Sequence, residues 1–224
     1  MRPTQLDFYF DFISPYAYFA WQKLEPLCEE YQLELRPHPV VFGKLLDHWG
    51  QLGPAEVPPK KEAVGRYCLR YAAINGLEYN PPKYHPYNPL PSLRLALKEV
   101  SGDQQLSVID AIFNAGWAHG EDLGEAQHLI EILQRAGIDT KGLDELITQQ
   151  SVKDVLIKET SNAIEQGVFG VPTIIIGDQL FWGNDQFDHI KLLLEGKDPL
   201  DGQKHKLLQS RPRMIDRKKI RDQK

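Results

Sequence analysis

Cysteine is scarce in this chain: Cys28 and Cys68 are its two cysteines in 224 residues. They stand far apart, with no C-x-x-C pair and no ligand spacing. That excludes a disulfide framework and a cysteine-based zinc site, and it fits a reducing compartment. Long apolar runs are also missing. No stretch nears the ~18 residues of a membrane span, and Met1-Arg2-Pro3 leads into a segment that already carries acids, unlike a secretory signal. A cytoplasmic location without a membrane partner is expected. The seven histidines show no H-E-x-x-H or similar pattern, so no metal is expected. Neither a Walker loop nor G-x-G-x-x-G occurs, which removes the nucleotide signal.

What is present is ordinary for a globular protein. Hydrophobic residues make up 42% and charged residues 25%, enough for a core without staples. The net charge of −5 gives no reason to expect a nucleic-acid partner. The charge is uneven. From Asp201 to Lys224 there are nine basic and three acidic residues, a net +6, leaving −11 for the rest. Residues 201–224 therefore read as a solvated basic extension.

The chain opens β–α–β. Leu6 to Phe12 is a β-rich run, and Ser14-Pro15 supplies an N-cap and a first-turn proline. Tyr16 to Tyr31 carries apolar residues at helical spacing, and Leu33 to Val41 is a second strand. It closes β–β–α. Thr173 to Ile176 and Leu180 to Trp182 flank the turn Gly177-Asp178-Gln179, and a helix is expected from about Asp185 to Glu195. Between lie helical patterns at Glu62–Ile74, Leu93–Val100, Gln104–Ala118, Glu125–Ala136, Leu143–Gln150 and Val152–Gln166. Two Pro-rich runs, Pro54 to Pro59 and Pro81 to Pro91, cannot be regular helix or central strand. The expected class is α/β: a thioredoxin-like fold whose βαβ and ββα halves are parted by a large all-helical insertion. The expected boundaries are 1–42 and 168–200 for the discontinuous thioredoxin-like domain and 43–167 for the insertion.

Three motifs carry chemistry. Val171-Pro172-Thr173 precedes the third strand, where this fold holds a cis proline and offers the Val171 backbone to an extended peptide. Ser14 stands where a thioredoxin places its attacking cysteine, at a helix N-terminus that stabilises a thiolate. With serine there, dithiol redox chemistry at this place is excluded, and no G-x-S-x-G marks Ser14 as a triad nucleophile. A hydroxyl here can instead hydrogen-bond a thiolate brought by a cofactor. Gly183-Asn184-Asp185 is expected to open the last helix, its N–H groups suited to a carboxylate and Asp185 to an ammonium. Lys60 and Lys61 are either a solvated pair or a cation for a carboxylate. Asn88, among prolines, is a turn residue or a substrate contact.

Asp7-Phe8-Tyr9-Phe10-Asp11-Phe12-Ile13-Ser14-Pro15-Tyr16-Ala17-Tyr18, Val168-Phe169-Gly170-Val171-Pro172-Thr173 and Phe181-Trp182-Gly183-Asn184-Asp185, in that order and spacing, resemble the 2-hydroxychromene-2-carboxylate isomerase family. That family belongs with the DsbA-like proteins and the kappa-class glutathione transferases. The resemblance spans roughly Leu6 to Gly196. It implies glutathione as cofactor: Ser14 on the sulfur, Val171 beside cis-Pro172 on the cysteinyl backbone, Asn184 and Asp185 on the γ-glutamyl end, and Lys60 or Lys61 as the loop lysine. Gln51 is the nearest match to a polar loop residue that is often Asn in kappa enzymes. Gln186 stands where the family usually has arginine.

The implied reaction is a cis–trans isomerisation of an aromatic substrate through a reversible glutathione adduct, in aromatic catabolism, with Ser14 as the catalytic residue. Phe12, Tyr16, Tyr84, Tyr87 and Trp182 are candidates to line the substrate cavity, with Lys60 and Asn88 as polar contacts. The relatives imply a homodimer. A kappa-like transferase that conjugates electrophiles and a non-catalytic DsbA-like peptide- or glutathione-binding protein are the alternative functions.

Overall fold

A computed structural model describes residues 3–212. Residues 213–224, half of the basic extension, lie outside the described part, as do Met1 and Arg2. Four strands form one mixed sheet in the order β2-β1-β3-β4. Strand β1 (Gln5–Phe10) leads into helix α1 (Pro15–Tyr31) and returns as β2 (Glu34–Pro39), parallel to β1. At the other end β3 (Thr173–Ile176) and β4 (Gln179–Trp182) form an antiparallel hairpin, and β3 pairs antiparallel with β1. The expected β–α–β and β–β elements are all present.

Alternation along β1 builds two cores. Leu6, Phe8, Phe10 and Phe12 are fully buried, with Phe8 stacked on Phe10 at 5.3 Å. Phe10 and Phe12 pack on Phe113 at 5.5 and 4.7 Å. Tyr9 joins a second cluster with Val40, Leu45, Ala163, Val168, Val171 and Ile175. Burial of this much aromatic surface between helix and sheet is the main stabilising term.

The long middle is helical but more broken than its periodicity predicts. Helix α2 (Phe42–Trp49) lies in a stretch where no helix is expected. Helix α3 (Pro58–Asn75) begins in the first Pro-rich run, because prolines fit an initial turn. The pattern at Leu93–Val100 splits into α4 (Leu90–Leu95) and α5 (Lys98–Ser101). That at Gln104–Ala118 becomes α6 (Gln105–Phe113), followed by a π turn over Asn114–Ala118. Helix α7 (Ala126–Arg135) holds. The pattern at Leu143–Gln150 shrinks to α8 (Leu143–Leu146), and α9 runs over Gln150–Glu165. Apolar spacing marks which side chains go inward, and it continues across these short breaks.

Contacts divide the chain differently from the expected boundaries. The sheet and the inserted helices form one compact unit ending at Phe187, and the second unit begins at Asp188. The insertion packs as part of the first unit because its helices cover the faces of the sheet. Helix α10 (Phe187–Leu194) starts at the boundary, and α11 (Gly202–Gln209) lies in the second unit. No helix among the described residues is long and apolar enough to cross a membrane. No group of three or more His, Cys, Asp or Glu among them comes together as a metal site.

Candidate active site

Ser14 sits at the N-terminus of α1 in extended conformation, with Pro15 at the first helical position. Its Oγ accepts from the Ala17 N–H at 3.2 Å, one of the N–H groups a helix leaves without an internal partner. The hydroxyl hydrogen points across the fold to the Val171 carbonyl at 3.4 Å. That second bond is long and weak. A hydroxyl held on one side by a helix N–H keeps a proton to offer, and the helix dipole favours an anion here.

The loop before Ser14 is gripped on every side. The Asp11 carboxylate is fully buried and accepts from Ile13 N at 3.1 Å and Phe42 N at 2.9 Å. Burial pushes its carboxyl up to about 7, against those two N–H bonds. The insertion supplies the rest. Tyr87 Oη and Trp117 Nε1 donate to the Phe12 carbonyl at 2.8 and 2.7 Å. His85 Nε2 lies 2.7 Å from the Ile13 carbonyl and therefore carries the ring hydrogen. Burial, helped by the charge of Lys61, pulls the His85 imidazole below its ordinary value. Lys60 and Lys61 both stand exposed on the first turn of α3, and of the two it is the charge of Lys61 that His85 feels. Among the described residues Lys60 shows no such link.

Opposite Ser14, Val171–Pro172 is cis, as expected, and His85–Pro86 is a second cis bond. The Pro172 carbonyl accepts from Gly183 N at 3.0 Å, which fixes the turn after β4 beside the cis proline. Gly183 has φ +109°, a backbone conformation that L side chains rarely adopt, so glycine is favoured here. Helix α10 begins at Phe187. Gly183-Asn184-Asp185 is thus a turn ahead of the helix rather than its first residues, a correction to the sequence reading. Asn184 is buried and its amide meets Tyr67 Oη. Asp185 is exposed, and Gln186 Nε2 donates to its Oδ1 at 3.2 Å.

Ser14, Tyr16, Val171, Pro172, Asn184 and Asp185 thus gather at one place. Tyr16 packs on Tyr67 at 5.2 Å, and burial first, then neighbouring groups that include Asp185, push its phenol up to about 12. Trp182 is 54% exposed, rests on Phe169 at 5.0 Å and lies so close to Gly170 that a Cβ there would meet its Nε1 at 2.7 Å.

The other candidates stand in different surroundings. Phe12 is fully buried among Phe10 and Phe113 and cannot line a cavity; it serves through its carbonyl. Asn88 is exposed and its Oδ1 accepts from Leu90 N at 3.2 Å, the turn-forming role. Tyr84 is exposed, and Tyr87 spends its hydroxyl on Phe12. Gln51 is exposed just after α2. Tyr67, His85 and Trp117 were not legible as site residues, since each acts through a contact distant in sequence. A groove of about 680 Å³ lined by Trp21, Cys28, Leu106 and Asp110 among others contains none of the site residues.

The family model for the DSBA-like thioredoxin domain matches residues 5–195. The 2-hydroxychromene-2-carboxylate isomerase of Pseudomonas putida is 30% identical over 188 residues, covering 81% of this chain and 89% of that protein. The chain belongs to the DsbA-like thioredoxin family, in its 2-hydroxychromene-2-carboxylate isomerase branch. A solved structure of a 2-hydroxychromene-2-carboxylate isomerase superposes with TM-score 0.79 at 25% identity, over 86% of this chain and 95% of that one. Glutathione S-transferase kappa 1 of Caenorhabditis elegans is 26% identical over 222 residues, 91% of this chain and 98% of that protein. The chain is an enzyme of this DsbA-like branch.

Proposed function

We propose that this enzyme isomerises a 2-hydroxychromene-2-carboxylate or a close aromatic analogue, with glutathione as a cofactor that is returned unchanged. The observation that carries this reading is the Ser14 hydroxyl, fixed by Ala17 N–H and spending its hydrogen only on a 3.4 Å contact. A thiolate is a better acceptor than that distant carbonyl, because charge-assisted hydrogen bonds are about twice as strong as neutral ones. When bound, glutathione supplies a thiolate that adds reversibly to the conjugated system of the substrate. The protein holds the rest in place. Ser14 and the α1 dipole keep the sulfur ionised. The Val171 backbone aligns the cysteinyl unit, and Asn184 with Asp185 holds the γ-glutamyl end. Lys61 faces a carboxylate, Lys60 standing beside it on the exposed first turn, and Tyr16 with Trp182 flanks the ring. The product is the hydroxybenzylidene pyruvate left after ring opening and rotation about a carbon–carbon bond. This reading places the enzyme in aromatic catabolism, in the cytoplasm, as a homodimer.

The transferase reading is favoured by near-complete coverage of the kappa relative, and the same thiolate serves it. The test is turnover of a 2-hydroxychromene-2-carboxylate with and without glutathione, with the thiol counted at the end. Expected are isomerisation that requires glutathione and a constant thiol count. Loss of thiol in step with product supports the transferase, and no turnover contradicts both. In the same assay Lys61→Ala is expected to raise KM for the carboxylate substrate about tenfold, and Lys60→Ala less than about threefold. Equal effects would contradict the assignment of Lys61.

A further inference from the structure

Helix α3 reaches the Gly183–Asp185 turn through Tyr67. Tyr67 Oη lies 3.1 Å from Asn184 Nδ2 and 3.3 Å from Asn184 Oδ1, so the phenol sits across the edge of an amide that is only 3% exposed. The ring is locked. Tyr16 packs on it at 5.2 Å and Tyr71 stacks at 5.6 Å, 24° from parallel. A phenol oxygen donates one hydrogen bond and accepts others, whereas an amide presents a donor end and an acceptor end. The shorter contact has Asn184 Nδ2 donating to Tyr67. Tyr67 Oη in turn donates to Asn184 Oδ1, so one phenol holds both ends of the amide, and the second lone pair of Oδ1, next in sequence to the Asp185 carboxylate, suits an ammonium.

We infer that Tyr67 is a positioning residue that determines specificity for the γ-glutamyl end of the cofactor, by orienting Asn184 so that its Oδ1 and Asp185 together meet the α-ammonium. This rests on the reading that Asn184 and Asp185 hold that end. Without the phenol the buried amide is free to turn its donor end toward the ammonium, which repels it. Selection between glutathione and thiols lacking the γ-glutamyl group thus depends on a helix of the insertion, while thiolate stabilisation depends on Ser14.

The test compares glutathione with cysteinylglycine, which has the same thiol and glycine end without the γ-glutamyl group. Binding of both is measured by calorimetry on wild type, Tyr67→Phe, Asn184→Ala and the double variant. Phenylalanine keeps the stack with Tyr16 and Tyr71. Expected for Tyr67→Phe are about a tenfold weaker glutathione affinity, unchanged cysteinylglycine affinity, and kcat at saturating glutathione within about twofold. In the Asn184→Ala background the phenol should matter no further. Equal loss for both ligands makes Tyr67 a packing residue and overturns the inference, as does wild-type glutathione affinity in Tyr67→Phe. A wild type that binds the two thiols equally overturns the γ-glutamyl reading itself, and Tyr67 with it.

Discussion

Ser14→Ala is expected to lower kcat/KM of the glutathione-dependent reaction by about 10- to 100-fold, the range for one hydrogen bond to a developing or full anion. The loss should appear mainly in kcat, because the hydroxyl favours the ionised sulfur over the neutral thiol. It should shrink as pH rises, since above the free thiol value of about 8.5 the ionised form no longer needs help. The variant also loses the cap that Ser14 provides to Ala17 N–H, which costs about 1 kcal/mol of stability. That is too little to unfold a domain with this core. Ser14→Thr keeps a hydroxyl and should recover part of the rate. An alanine variant with wild-type kcat across pH 6 to 9 would remove Ser14 from the chemistry.

The largest effect on stability is expected at His38. This β2 residue stacks on Tyr9 at 4.7 Å and bridges two carboxylates, Asp7 on β1 through Nε2 and Glu159 on α9 through Nδ1, each at 3.0 Å. Burial pulls the imidazole down, but the two carboxylates together outweigh it and raise it to about 9. The folded value thus stands above the unfolded one of 6.5. The stabilisation is present in full below about pH 6.5 and lost as pH climbs through about 9. A shift of this size corresponds to up to about 3 kcal/mol. His38→Gln also leaves two carboxylates facing each other. Urea unfolding at pH 6 should show the variant weaker by about 2 to 3 kcal/mol, with the gap closing by pH 10. A gap that stays constant with pH would show that His38 acts by packing alone. Helix α9 ends at Glu165, three residues before Val168.

Much of this was legible where local rules and tertiary demands agree. Ser14-Pro15 marks a helix start on capping grounds alone, and the same geometry makes the anion site. The β-branched run at Thr173 and the turn at Gly177 leave little but a hairpin. The misreadings are instructive. Phe12 shares the alternation of Leu6, Phe8 and Phe10, so period two already assigns it to the core; its nearness to Ser14 in sequence was the weaker guide. The last helix starts later than its polar turn suggests, because Gly183 is used for positive φ and a bond to Pro172. Tyr67, His85 and Trp117 carried no local signal. Trp117 and Asn184 meet their partners across more than a hundred residues, and one sequence does not reveal such pairs.

The central claim is that Ser14 and the α1 N-terminus bind glutathione as its thiolate. Calorimetry of glutathione binding at pH 7.5, in two buffers of different ionisation heat, counts the protons released. A helix N-terminus and one hydroxyl donor together should lower the thiol from about 8.5 to about 6.5. The account therefore predicts release of about 0.8 proton per glutathione bound, falling sharply in Ser14→Ala. Binding without proton release, or no binding at millimolar glutathione, would contradict it.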